Sequence, residues 1–249
     1  MLERDQVNPV AGAADDNCAL SVGAALEAIG PGDTTGTDTL ARYMYQCKVA
    51  VQRWLATLEL SEDARILCEF VDDITTATST EVVFAQVKTR DRGSWTAAKV
   101  LAKGGGLDSL ARSYNLAKAA GAISLVRLEL LLEGPEGPAN DTRSFFATPT
   151  SATNAQRTSL KKLGVAAKNV DDFLARLRIT PQYHARQSID AVTIKLLMAL
   201  VPAHSSELES LYDKLLASVV AAHLGACASA DPEHPLVLPR VSHCDLRDL

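Results

Sequence analysis

Asp73, Gln86 and Lys88 are the residues of this sequence whose types and spacing suit chemistry. Asp73 stands near the end of one apolar run, EFVDDI at 69–74. Gln86 and Lys88 stand in a second, EVVFAQVKT at 81–89. Side chains alternate across a strand, so Gln86 and Lys88 leave one face of the second run and Val87 the other. A carboxylate and a carboxamide oxygen are hard ligands suited to Mg²⁺ that keeps several waters, with the Val87 backbone carbonyl as a further ligand. An ammonium beside such an ion orients a water and offsets phosphate charge, which is the equipment of phosphodiester hydrolysis. If the first run is one regular strand over 66–74, Glu69 and Asp73 share a face and Asp72 points away. Glu69 and Asp73 then lie roughly 13 Å apart, too far to share a metal. Asp73, beside the polar stretch TTATST at 75–80, is the nearer to the partner strand, and Glu69 is left as an accessory residue.

The elements that must position these residues follow from periodicity. Asp38 or Thr39 caps a helix reaching Leu58, with Leu40, Tyr43, Cys47, Ala50, Val51, Trp54, Leu55 and Leu58 at helical spacing as its core face. Gln46 lies in this helix. After the two strands, Ser94 or Thr96 caps a short helix that ends at three glycines, 104–106. A helix over 107–120, a strand over 123–132 and a partner strand over 143–148 complete an α/β sandwich. From Ser151 strand-like runs give way to helices over 170–177, 185–200 and 206–223, broken at Pro181 and Pro202. The predicted organisation is a flexible segment over 1–38, an α/β core over 39–150, a helical subdomain over 151–225 and a Pro-rich tail over 226–249.

The 249 residues are 47% hydrophobic, enough for a sizeable core. No apolar run spans a bilayer and no secretory pattern opens the chain, which excludes a membrane role and points to the cytoplasm. Five scattered Cys form no disulfide framework, and Cys47 and Cys68 read as buried thiols in a reducing compartment. The five His are not clustered at ligand spacing, and none is given a catalytic role. The net charge of −5 argues at first against nucleic acid. Its distribution does not: 88–118 carries seven basic residues against Asp91 and Asp108. Arg90, Arg92, Lys99 and Lys103 of that segment are candidate contacts for a phosphate backbone.

The pattern Asp, hairpin, Gln-x-Lys resembles the variant core of the PD-(D/E)xK nucleases in which Gln replaces the second acid. More narrowly, EFVDDI, QVKTR and the following SWT are similar to the DNA endonuclease domain of the Cap4-type antiviral effectors, over about 43–100. The resemblance implies a restriction-endonuclease-like mixed sheet with helices on both faces, followed by an α-helical subdomain. It implies a Mg²⁺-dependent endonuclease, with Mn²⁺ as a substitute ion, that cuts double-stranded DNA with little sequence preference in antiphage defence. Asp73 and Gln86 would hold the metal and Lys88 would position the attacking water. Gln46 occupies the place where the superfamily's first helix often supplies an acid. Trp95, in the turn after the strand, would buttress Lys88 or touch DNA, or be buried in the core. Restraint would come from homo-oligomerisation or from a partner such as a HerA-like DNA-translocating ATPase. A contrasting expectation is a catalytically weak module that binds DNA or assembles a defence complex, because Gln in place of an acid makes the metal site less negative.

Overall fold

The computed structural model describes residues 35–61, 63–68, 72–201, 205–224, 237–240 and 246. Backbone contacts divide the chain into Met1–Ala41 and Arg42–Leu249. Within the first unit the described residues are the opening turns of helix α1 (Thr35–Ala56), where Leu40, expected in the core, is 60% exposed. The expected segment 1–38 lies largely outside the described residues.

The second unit is built on six strands: β1 (Arg65–Cys68), β2 (Ile74–Ala77), β3 (Val82–Lys88), β4 (Val126–Leu132), β5 (Leu177–Thr180) and β6 (Val237–Pro239). Their spatial order is β5-β4-β3-β2-β1-β6. β6, β1, β2 and β3 pair antiparallel, whereas β3–β4 and β4–β5 are parallel. Parallel neighbours need crossovers. The first runs through α2 (Ala97–Val100) and α3 (Gly106–Ala119), the second through α4 (Asn140–Ala147), α5 (Asn154–Lys162) and α6 (Val170–Arg176). Helices α7 (Ile189–Leu200) and α8 (Ser205–His223) follow β5.

Alternation along the strands divides the core in two. Ile66, Cys68, Ile74, Ala85, Val87 and Leu131 pack with residues of α1, α7 and α8. Phe84, Leu128, Leu130 and Leu132 pack with residues of α2 to α6. β4 is buried on both faces, which explains its nearly unbroken apolar run. The expected mixed sheet with helices on both faces is therefore what forms. Cys47 and Cys68 are buried and outside any disulfide, as expected.

Four details differ from expectation. The run 66–74 is not one strand: β1 ends at Cys68, and β2 begins at Ile74 and pairs back on it. Thr75 and Thr76 belong to β2, because a β-branched threonine suits a strand as well as a turn. The turn lies further on, where Thr78 Oγ1 accepts from the backbone N–H of Glu81 at 2.9 Å. Second, 143–148 is not a strand but falls mostly in α4, whose first turn carries Asp141 and which buries Thr142, Phe145 and Phe146. Third, strands do not cease at Ser151: β5 adds to the sheet beyond β4, so the sheet reaches into the segment 151–225 expected to be helical only. Fourth, within the Pro-rich segment 226–249, β6 pairs with β1. Short strands of three or four residues carry too little alternation to be read without their partners.

The junction from α2 to α3 holds one side of the sheet in place. Thr96 caps α2 by accepting from the Lys99 N–H. Gly105 precedes α3, and a Cβ there would lie 2.6, 2.7 and 2.8 Å from the carbonyl oxygens of Lys99, Val100 and Ala102. Those atoms are backbone and cannot step aside singly. Gly105→Ala is expected to cost about 2–3 kcal/mol, the upper part of the range for overpacking. Urea unfolding of the two proteins measures it, and equal midpoints would refute the expectation.

Candidate active site

β2 pairs with β3 as far as Ile74 opposite Ala85. One step beyond this last pair, Asp73 comes across from Gln86, where the two strands part. A strand edge leaves backbone groups to satisfy at such a point. The Val87 N–H donates to Asp73 Oδ2 at 2.8 Å. Gln46, reaching from α1, donates through Nε2 to the same oxygen at 2.9 Å, and Gln86 Nε2 donates to it as well. Three donors from two elements converge on one carboxylate oxygen. The Gln86 amide also lies 3.4 Å from the Val87 carbonyl.

Burial pushes the Asp73 carboxyl up to about 6, against the lowering effect of the Val87 N–H and of the nearby Lys88 charge. The neighbouring Asp72 charge adds to the rise. Asp72 itself is only 5% exposed. Its Oδ2 accepts from the Ser113 hydroxyl of α3, and its Oδ1 has no hydrogen-bond partner. Burial raises its carboxyl too, while Ser113, Ser109 and the charges of Arg112 and Lys88 lower it. Asp72 turns to Ser113 of α3 while Asp73 meets Gln46 of α1, and the Lys88 charge lowers both carboxyls. The missed signal was the serine pair at 109 and 113, one helical turn apart on α3, which no local pattern ties to position 72.

Lys88 ends β3. Its carbonyl accepts from the Glu133 N–H at 2.9 Å, which pins the strand end to the end of β4. Its Cγ lies 3.3 Å from where a Cβ on Gly106 would stand, so the first turn of α3 packs against its methylenes. Lys88 makes no hydrogen bond or ion pair among the described residues. The exit from β3 is fastened at Asp91. Arg42 of α1 pairs with it at 2.7 Å, and Arg186, ahead of α7, pairs with both Asp91 and, at 2.9 Å, the buried Glu133. Arg186, then Arg42, holds the Asp91 carboxyl below the usual carboxylate range.

The remaining candidates fall in different places. Glu69 lies outside the described residues. Trp95 is 8% exposed and donates through Nε1 to the Glu133 carbonyl at 2.6 Å, so it braces the end of β4 from within the core. The Arg90 guanidinium stands 5.0 Å from the centre of the Trp95 ring and donates to the Ser94 carbonyl. Lys99 Nζ donates to that same carbonyl at 3.0 Å. Arg92 and Lys103 are exposed. Of the histidines, His223 is buried in α8, and His204, His234 and His243 lie outside the described residues.

The donor set suits a hard cation. No hydrogen bond among the described residues engages Asp73 Oδ1 or Gln86 Oε1, and the Val87 carbonyl lies by the Gln86 amide. Among the described residues no three His, Cys, Asp or Glu gather as a metal cluster. A cation here would therefore meet few protein charges and mostly neutral oxygens, a set that fits an ion retaining much of its water.

A mixed sheet with helices on both faces, with a carboxylate meeting a Gln-x-Lys strand where the ladder ends, is consistent with an α/β nuclease core. Residues 34–125, a little over a third of the chain, match the family model described as Cap4, dsDNA endonuclease domain. No curated protein matches the chain. Among solved structures the chain is similar to the Acinetobacter baumannii Cap4 SAVED/CARF-domain containing receptor. With the cyclic trinucleotide 3′3′3′-cAAA, that structure matches at 10% identity and a TM-score of 0.50, over 81% of this chain and 43% of that one. With 2′3′3′-cAAA the identity is 11% at the same TM-score and coverage. The Moraxella osloensis Cap4 SAVED/CARF-domain containing receptor matches at 12% identity and a TM-score of 0.49, over 74% of this chain and 44% of that one. The chain spans less than half the length of these relatives, and at such identities the A. baumannii likeness is one of fold.

Proposed function

We propose that the chain is a Mg²⁺-dependent endonuclease that hydrolyses double-stranded DNA with little sequence preference, in the cytoplasm, as an effector of antiphage defence. The observation that carries this reading is the convergence of Gln46, Gln86 and the Val87 N–H on Asp73 Oδ2, beside the unpaired Lys88. Asp73, Gln86 and the Val87 carbonyl would hold Mg²⁺, or Mn²⁺ in its place. The ion supplies Lewis acidity at the phosphate and acidifies water. Gln46 fixes the Asp73 carboxylate from α1. Lys88 orients the attacking water and offsets charge that grows on the phosphate oxygens in the transition state. The match to a dsDNA endonuclease domain supports duplex DNA as the substrate. Among the described residues no helix is long and apolar enough to cross a membrane.

Such an activity needs restraint. Self-association or a partner, such as a HerA-like DNA-translocating ATPase, is the regulation we favour. A second reading is supported by the amides themselves. Gln46 and Gln86 already satisfy Asp73 without a cation, as they would in a catalytically weak DNA-binding or assembly module. Supercoiled plasmid distinguishes the two. The enzyme alone, or with the product of a neighbouring gene, should nick and linearise it with Mg²⁺ and leave it intact with EDTA. Plasmid left whole with Mg²⁺ and with Mn²⁺, with and without that partner, would establish the second reading.

A further inference from the structure

A cleft of about 440 Å³ opens between the α2–α3 junction and the C-terminal end of α5. Lys103 stands on one wall and Lys162 on the other, with Lys161 beside it. All three are exposed, and none pairs with a carboxylate among the described residues. The one acid on the lining, Asp108, is already engaged: its Oδ2 accepts from the Gly104 N–H at 2.9 Å. Lysines in the last turn of a helix favour the helix dipole, which accounts for Lys161 and Lys162 on α5 taken alone. It does not account for Lys103 facing Lys162 across a concavity whose lining carries two lysines against the single carboxylate of Asp108. The junction that forms one wall runs directly into Gly105 and Gly106, and Gly106 is where the Lys88 methylenes pack. The cleft therefore lies on the α3 side of the sheet, its junction wall leading in sequence to the glycine against which Lys88 packs.

We infer that this cleft seats a phosphodiester of the DNA backbone next to the one being cut, with Lys103 and Lys162 neutralising it from opposite walls. The inference rests on the nuclease reading and extends it to α5, outside the residues that match the family model. It is tested by fluorescence anisotropy with the full chain and a labelled duplex in EDTA, so that nothing is cut, across a KCl series. Lys103→Gln with Lys162→Gln should weaken binding and reduce the slope of log K against log salt by about 2, each single change by about 1. Lys195→Gln with Lys214→Gln, exposed positions on α7 and α8 across the sheet, should leave the slope as it was. An unchanged slope in the first pair, or an equal loss in the second, overturns the inference. If wild type binds and cuts duplex while the first pair behaves like it, only the cleft assignment falls. If wild type neither binds duplex nor cuts it with Mg²⁺, both alone and with the product of the neighbouring gene, the nuclease reading falls as well.

Discussion

Lys88→Ala should cut duplex DNA about a thousandfold more slowly than wild type while melting within a few degrees of it. A water-positioning and charge-stabilising group contributes about 10²–10⁴ in rate, and a thousandfold corresponds to about 4 kcal/mol of barrier. The ammonium makes no bond that the fold depends on, and truncation removes only its methylene packing on Gly106. A second effect adds to the first. The Lys88 charge holds down the carboxyls of Asp72 and Asp73, so without it both rise further, and Asp73 holds a cation less well near neutrality. Single-turnover cleavage of plasmid, beside thermal melting, separates loss of chemistry from loss of fold. A variant as fast as wild type would remove Lys88 from the mechanism and point to a contaminating nuclease.

Asp73→Asn should stabilise the metal-free protein, increasingly so as pH rises. Burial lifts the folded carboxyl from 3.8 to about 6. Below about pH 4 it is protonated in both states and contributes nothing. Between 4 and 6 the folded chain keeps a proton that the unfolded chain has lost, so stability falls as pH rises. Above 6 the whole penalty is present, about 3 kcal/mol from the size of the shift. Asparagine carries no such charge and still offers an oxygen to Gln46, Gln86 and the Val87 N–H. In EDTA, the difference in unfolding free energy between variant and wild type should grow from near zero at pH 4 to about 3 kcal/mol at pH 7. Added Mg²⁺ should raise the melting temperature of wild type at pH 7 and leave the variant unmoved. A difference that stays flat with pH would mean that the carboxylate is not buried as described.

The site was legible where local rules sufficed. Alternation along 81–89 placed Gln86 and Lys88 on one face, and β3 carries them so. Asp73 does meet Gln86, but from the end of β2 away from the turn, which lies at 78–81 and not beside Asp73 as expected. The true arrangement, β1 and β2 folded back on each other, depends on pairing that spacing alone does not reveal. Asp72 was beyond reach for a similar reason: its partner Ser113 lies 41 residues away, on a helix whose docking is set by Gly105 and Gly106. The fold class followed from the order of periodic segments. β5 did not, because LRIT between two helices has four residues, and only its register against Leu128 to Leu131 makes it a strand. Gln46 was identified by its place in the first helix, and its contact with Asp73 required that helix to lie on the sheet as it does.

Val87 donates its N–H to a side chain instead of to a neighbouring strand. The reactive corner is thus uncoupled from the architecture that carries it: position 86 can exchange acid for amide without breaking a single rung of the ladder. That separation leaves the scaffold tolerant of drift at this corner, and a descendant altered there would keep its shape.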